Sequence, residues 1–312
     1  MSRPLQWETD GRDWPHRAQS RFVQAAGLRW HIQQFGQSSG EDPDMPVALL
    51  LHGTGASTHS WRGLAPLLAP HFKVLTLDLP GHAFTDMPSG GSSSQQMSLP
   101  GMARAVGGLL AVLDVNPTLM IGHSAGAALA VRMALDGLVL PDQLEHIVSI
   151  NGALQPLGGL AGQVFSPVAK LMSALPFVPE LFAWQATHAK VLQKLMDSTG
   201  SKLDAQGMAL YGQLVSNPGH AAGALSMMAN WDLPSLAADL PRLVTPLSLI
   251  VASEDRTIPP RQATQVMNQL AQSSAKATPQ LVVLPGLGHL AHEERPDIVA
   301  MHILQQTNKK RY

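Results

Sequence analysis

The chain of 312 residues contains no cysteine, which excludes disulfides, thiolate metal sites and a cysteine nucleophile together and fits a reducing compartment. Charge is scarce as well. Charged residues make up 14% of the chain and the net charge is −1, against roughly a quarter charged in ordinary soluble domains. Beyond the terminal Lys309-Lys310-Arg311 there is no basic cluster, so nothing supports nucleic-acid binding, while the weakly charged surface permits a partner or peripheral membrane contact. Long apolar runs are missing too. No window approaches the roughly 18 consecutive apolar residues of a membrane span, and the first ten residues lack the apolar segment of a secretory signal. A soluble cytoplasmic chain without internal repeats is expected, long enough for one large α/β domain with an insertion.

What is present is concentrated in a few segments. Gly122-His123-Ser124-Ala125-Gly126 lies between a short apolar run, 117–121, and an alanine-rich helical stretch, 127–135. That spacing puts Ser124 on a strand-to-helix elbow, where the tight turn demands small residues two before and two after the serine. Downstream, the apolar run Leu247 to Val251 leads into Ser253-Glu254-Asp255-Arg256, and Leu281 to Leu284 leads into Pro285-Gly286-Leu287-Gly288-His289. Upstream, Val47 to Leu51 ends in His52-Gly53-Thr54-Gly55. All four lie at the carboxyl ends of expected strands, which is where open parallel sheets bind ligands.

Each candidate has a competitor. Glu254 stands beside Asp255, and the spacing to Pro259 favours the aspartate. His52, His82 and His123 are read as residues that orient loops or fill space, and Asp78 and Asp86 as loop and cap residues. His292-Glu293-Glu294 suggests a metal but lacks the second histidine one helical turn on, so an acidic first turn of a helix is expected there, with no metal and no cofactor.

The remaining rhythm is βα. An antiparallel hairpin is expected over Phe22 to Phe35 around Ala26-Gly27, with parallel strands near 47–52, 73–78, 118–122 and 145–151. Ser89 to Ser98 reads as a flexible connector. Between Gly152 and Asn230 the alternation gives way to helical stripes, so the expected division is a core of 1–151 and 231–312 carrying a helical cap of 152–230. Phe165, Phe182, Trp184 and Met228 are candidates to line a substrate pocket beneath it, against plain packing of the cap.

Taken together these segments resemble the α/β-hydrolase superfamily from about Phe22 to His302, a mostly parallel sheet flanked by helices with an inserted cap. The resemblance implies a serine hydrolase of ester or related acyl bonds, with Ser124 as nucleophile, His289 as base, Asp255 as acid, and the backbone N–H groups of Thr54 and Ala125 as oxyanion donors. Ala83 departs from the pattern, where many hydrolases carry glycine. Within the superfamily, Trp14-Pro15-His16-Arg17, Gly27 to His31 and His52 to Arg62 are similar to the BchO group of magnesium chelatase accessory proteins of bacteriochlorophyll biosynthesis. That likeness implies a tetrapyrrole as the small-molecule substrate, or a non-catalytic partner of the chelatase subunits. His188 and His220 are then candidates for axial ligation of a magnesium porphyrin, against surface or core roles.

Overall fold

The structure, a computed structural model, describes residues 4–36, 45–156, 177–271 and 279–308. One eight-stranded sheet runs through it in the order β1-β2-β4-β3-β5-β6-β7-β8. The strands are β1 (Ser20–Ala25), β2 (Leu28–Phe35), β3 (Val47–Leu51), β4 (Lys73–Leu77), β5 (Leu119–His123), β6 (His146–Ile150), β7 (Leu247–Ala252) and β8 (Gln280–Leu284). The first two form an antiparallel hairpin, with Ala25 opposite Leu28 and both Ala26 and Gly27 at positive φ. That turn has the twist hairpins prefer. β2 joins β4 antiparallel, and every later pairing is parallel.

The central strands read as unbroken apolar runs because helices cover both faces. Leu49, Leu51, Met120, Ile147 and Leu249 point to one side, against α3 (Leu99–Leu113), α4 (Ala125–Leu135), α9 (Leu233–Asp239) and α10 (Arg261–Ala271). Their neighbours Ala48, Leu50, Ile121, Val148 and Ile250 point to the other, against α2 (Leu64–Leu68) and α12 (Pro296–Asn308). Between β6 and β7 the described chain is helical: α5 (Val178–Ala186), α6 (Ala189–Asp197), α7 (Ala205–Val215) and α8 (Pro218–Ala229) precede α9.

The Ser89 to Ser98 connector is more structured than its composition suggests. It holds two 3₁₀ turns, buries Met97 completely and ends with the Ser98 hydroxyl accepting the Gly101 N–H at 3.2 Å, an N-cap for α3.

The segments that carry the BchO likeness converge on one buried bracket. The Trp14 indole donates to Thr58 Oγ1 at 3.1 Å and packs with Phe84, Leu210 and Leu214, while His16 meets the Arg62 carbonyl at 2.8 Å. His31 Nδ1–H donates to Asp78 Oδ2 at 2.7 Å, and the other carboxylate oxygen accepts the Thr58 N–H. Burial pushes the Asp78 carboxyl up, yet His31 and the Thr58 amide outweigh it and bring it down to about 2. Asp78 is therefore an ionised brace for the loop after β3. The N-terminal segment, that loop and the helices between β6 and β7 are one packed unit.

Candidate active site

The elbow at the end of β5 shows why its glycines are required. A Cβ on Gly122 would stand 2.4 Å from Ala127 Cα, and one on Gly126 would stand 2.0 Å from the Leu51 carbonyl oxygen. Neither side chain fits. Ser124 itself adopts φ 53, ψ −118 at the N-terminus of α4, and its hydroxyl is not spent on capping that helix. A non-glycine residue held at positive φ costs of order 1–3 kcal/mol and persists where the surroundings over-determine it. Here the Ser124 N–H bonds the Ile150 carbonyl, and its own carbonyl takes the N–H groups of Ala127 and Ala153.

Asp255 and His289 come together as a bonded pair. His289 Nδ1–H donates to Asp255 Oδ2 at 2.8 Å, both groups being buried, while Asp255 Oδ1 accepts the Thr257 and Ile258 N–H groups at 2.8 Å each. Glu254, by contrast, turns to the Ser253 hydroxyl. The histidine lies beside the elbow: the His123 and His289 ring centroids are 4.7 Å apart, and His123 Nε2–H donates to the His289 carbonyl at 2.9 Å. Among the described residues no hydrogen bond joins the Ser124 hydroxyl to His289 Nε2, a link that resting sites often leave long.

The loop after β3 closes against the same point. A Cβ on Gly53 would stand 3.0 Å from Ser124 Cβ, so glycine lets the Thr54 backbone approach the serine. Among the described residues no backbone carbonyl takes the N–H of Thr54 or of Ala125, and the second belongs to the unpaired first turn of α4. Ala83, at the departure from the hydrolase pattern, adopts φ 43. The left-handed conformation is kept there at a cost of about 1 kcal/mol.

His52, His82, His123 and His220 are fixed and neutral. His52 donates from Nδ1 to the Gly53 carbonyl and accepts the Leu79 N–H at Nε2. His82 donates to the Pro80 carbonyl. Burial lowers the imidazoles of His52, His82 and His123, which leaves them uncharged at neutral pH and unsuited to moving protons there. His220, from α8, accepts the Ala83 N–H and donates to the Gly55 carbonyl, and burial brings it to about 4. With both nitrogens engaged it cannot ligate a metal. His188 is exposed, with its Nδ1 at 3.2 Å from the Gln185 carbonyl.

Around the expected pocket, Met227 places its sulfur 3.5 Å from Thr54 Oγ1, while the adjacent Met228 is half-buried. Trp184 is 62% exposed with its ring against His188. Phe165 lies outside the described residues, as does the side chain of Phe182.

Several contributors left little trace in the sequence. Asn151, buried at φ 46 beyond β6, donates to the carbonyls of Gly288 and His289 at 3.1 and 2.8 Å and accepts the Ala252 N–H at 2.8 Å. It ties the end of β7 to the histidine loop. The only advance sign is Asn-Gly after an apolar run, a turn signal. His292, Glu293 and Glu294 are more than an acidic first turn. Glu293 is buried and takes Arg62 Nη1 at 2.6 Å and the Tyr211 hydroxyl at 2.8 Å, and Arg62 reaches on to Asp204. Burial lifts the Glu293 carboxyl to about 7 against the pull of Arg62 and Tyr211, while the guanidinium stays charged between its two carboxylates.

A carboxyl whose folded value is raised stabilises the fold below its unfolded value, 4.5, and loses that contribution as pH rises through about 7. Glu293→Gln removes the titration. The unfolding free energy of the natural protein minus that of the variant is therefore expected to fall by up to about 3 kcal/mol between pH 4.5 and 8. Urea midpoints across that range check it, and a constant difference would rule it out.

Comparison with known proteins agrees with this architecture. Residues 48–302 match the model of the alpha/beta hydrolase family. The magnesium-chelatase 30 kDa subunit of Rhodobacter capsulatus is 35% identical over 292 residues, 94% of this chain and 95% of that one. The sn-1-specific diacylglycerol lipase ABHD11 of Mus musculus is 24% identical over 267 residues, covering 82% and 78% of the two chains. In three dimensions a putative lipase from Acinetobacter baumannii AYE superposes with a TM-score of 0.75 at 16% identity, over 99% of this chain and 98% of that one. The elbow, the sheet order and the family match together make this chain a member of the alpha/beta hydrolase family.

Proposed function

We propose that the protein is a serine hydrolase of ester or related acyl bonds, working on a magnesium tetrapyrrole or its precursor. The observation that carries this reading is the Asp255–His289 hydrogen bond of 2.8 Å beside a serine held at φ 53 on a glycine-bounded elbow. Ser124 Oγ attacks the acyl carbon as His289 Nε2 takes its proton, and the carbonyl oxygen becomes an oxyanion facing the Thr54 and Ala125 N–H groups. Collapse breaks the bond to the leaving alcohol, which leaves with the proton from His289. Water, deprotonated by the same imidazole, then attacks the acyl-serine, and the carboxylic acid departs as Ser124 regains its proton. Asp255 holds Nδ1–H throughout, so Nε2 is the free base.

The helices between β6 and β7 act in this reading as a cap over the site, and Met227 beside Thr54 gives the acyl chain an apolar neighbour. A cap of this kind excludes water from the reaction. The tetrapyrrole context comes from the likeness to the Rhodobacter capsulatus magnesium-chelatase subunit. That likeness also supports a second reading, an accessory protein that binds a porphyrin or a chelatase subunit without chemistry.

One experiment separates them. A serine-directed fluorophosphonate is expected to label Ser124 in the natural protein and to leave Ser124→Ala unlabelled. An unlabelled natural protein that still binds magnesium protoporphyrin or chelatase subunits would favour the accessory role.

A further inference from the structure

The histidine loop is held from two sides. From the core, Asn151 and His123 donate to the carbonyls of Gly288 and His289. From the other side, its successive N–H groups are taken by residues of the helical segment or by a residue bonded to it. The Thr199 carbonyl, in the turn after α6, accepts the His289 N–H at 3.1 Å and the Arg256 N–H at 3.3 Å. A single oxygen thus receives the base and the residue following the acid. The buried Ser201 hydroxyl accepts the Leu290 N–H at 2.7 Å. Glu294 accepts the Gly288 N–H on one oxygen and the Lys202 N–H on the other.

Steric fit makes this turn specific. Gly200 lies at φ +80, and a Cβ there would stand 2.1 Å from the Glu254 carbonyl oxygen. A Cβ on Gly288 would stand 2.3 Å from the Gly200 carbonyl carbon and 2.4 Å from the Ser201 nitrogen. Two glycines from distant parts of the chain let three backbones touch. The Thr199 hydroxyl completes the turn by accepting the Ser201 N–H and donating to the Met196 carbonyl. None of these contacts involves Ser124 itself.

We infer that Thr199-Gly200-Ser201 is a positioning turn for the acid–base pair: it sets the His289 ring against Asp255, so that docking of the helical segment and assembly of the triad are one event. The inference rests on the serine-hydrolase reading for its rate consequence alone. Geometry at the ring can be read without turnover.

Ser201→Ala leaves the buried Leu290 N–H without its acceptor and frees the loop beside the base. The expected result is a fall in kcat of about 10- to 100-fold, as small misplacements of a catalytic group produce, with KM within twofold. The downfield proton resonance of His289 Nδ1–H, bonded to Asp255, should broaden or move upfield. Ser201→Thr, which keeps the hydroxyl, should restore both. Gly200→Ala forces a larger displacement and is read by the same resonance where the variant folds. A lower Tm with unchanged kcat and an unmoved resonance in Ser201→Ala would overturn the inference. If the natural protein fails to label with fluorophosphonate, the hydrolase reading falls while the resonance still decides the positioning role.

Discussion

Ser124→Ala is expected to lower kcat/KM on any ester the protein turns over by about 10⁴- to 10⁶-fold, the range seen when a triad serine is removed. The half-exposed hydroxyl does not cap α4, so its loss takes little from the fold. Alanine at φ 53 bears much the same backbone cost as serine. The stability change should therefore stay within about 1 kcal/mol. What disappears is the covalent route: His289 and the two N–H donors would be left to activate water directly. Steady-state hydrolysis of a p-nitrophenyl ester, with urea midpoints beside it, measures both quantities. Retention of a tenth of the activity would place the nucleophile elsewhere.

How much of this site could be read from the chain depends on the range of the interaction. The elbow is local. Gly122 is dictated by a clash with Ala127, five residues on, and Gly126 by the Leu51 carbonyl of the adjoining strand, so the pentapeptide between a strand and a helix announces itself. The central strands were legible as apolar runs because both faces are covered, and the hairpin because Ala26-Gly27 sits between alternating residues. Asp255 and His289 stand out in the chain by strand ends and chain order, and in the fold a 2.8 Å hydrogen bond joins them.

The supports were not legible, since their partners are remote. Arg62 meets Glu293 across 231 positions and Asn151 meets His289 across 138. Nothing about a lone Glu or Asn signals such a partner. The Thr199 turn is harder still, because its contribution is a backbone carbonyl that any residue would supply. Gly200 and Gly288 look like ordinary loop glycines until each is seen to clear the other's backbone. His292-Glu293-Glu294 shows the same limit from the other direction: spacing identified a short acidic helix, α11 (Ala291–Glu294), but only packing shows its carboxylates facing Arg62, Tyr211 and the histidine loop.

Asp255→Asn should cost about 10⁴-fold in kcat, and the reason lies in the carboxylate's other oxygen. Oδ1 is committed to two N–H donors, Thr257 and Ile258, at 2.8 Å each. An asparagine in this position must keep its carbonyl oxygen toward those amides, because turning it over would set its NH₂ against two donors. The NH₂ group then faces His289 Nδ1. The ring responds by accepting at Nδ1 and carrying its proton on Nε2, the tautomer that has no lone pair to offer the serine. Loss of a factor of about 10⁴ is what the wrong tautomer costs in triads of this type. Nitrogen-resolved NMR of His289 supplies the independent check: the proton should move from Nδ1 to Nε2 in the variant. A rate within tenfold of the natural protein, with the tautomer switched, would mean that His289 does not take the serine proton.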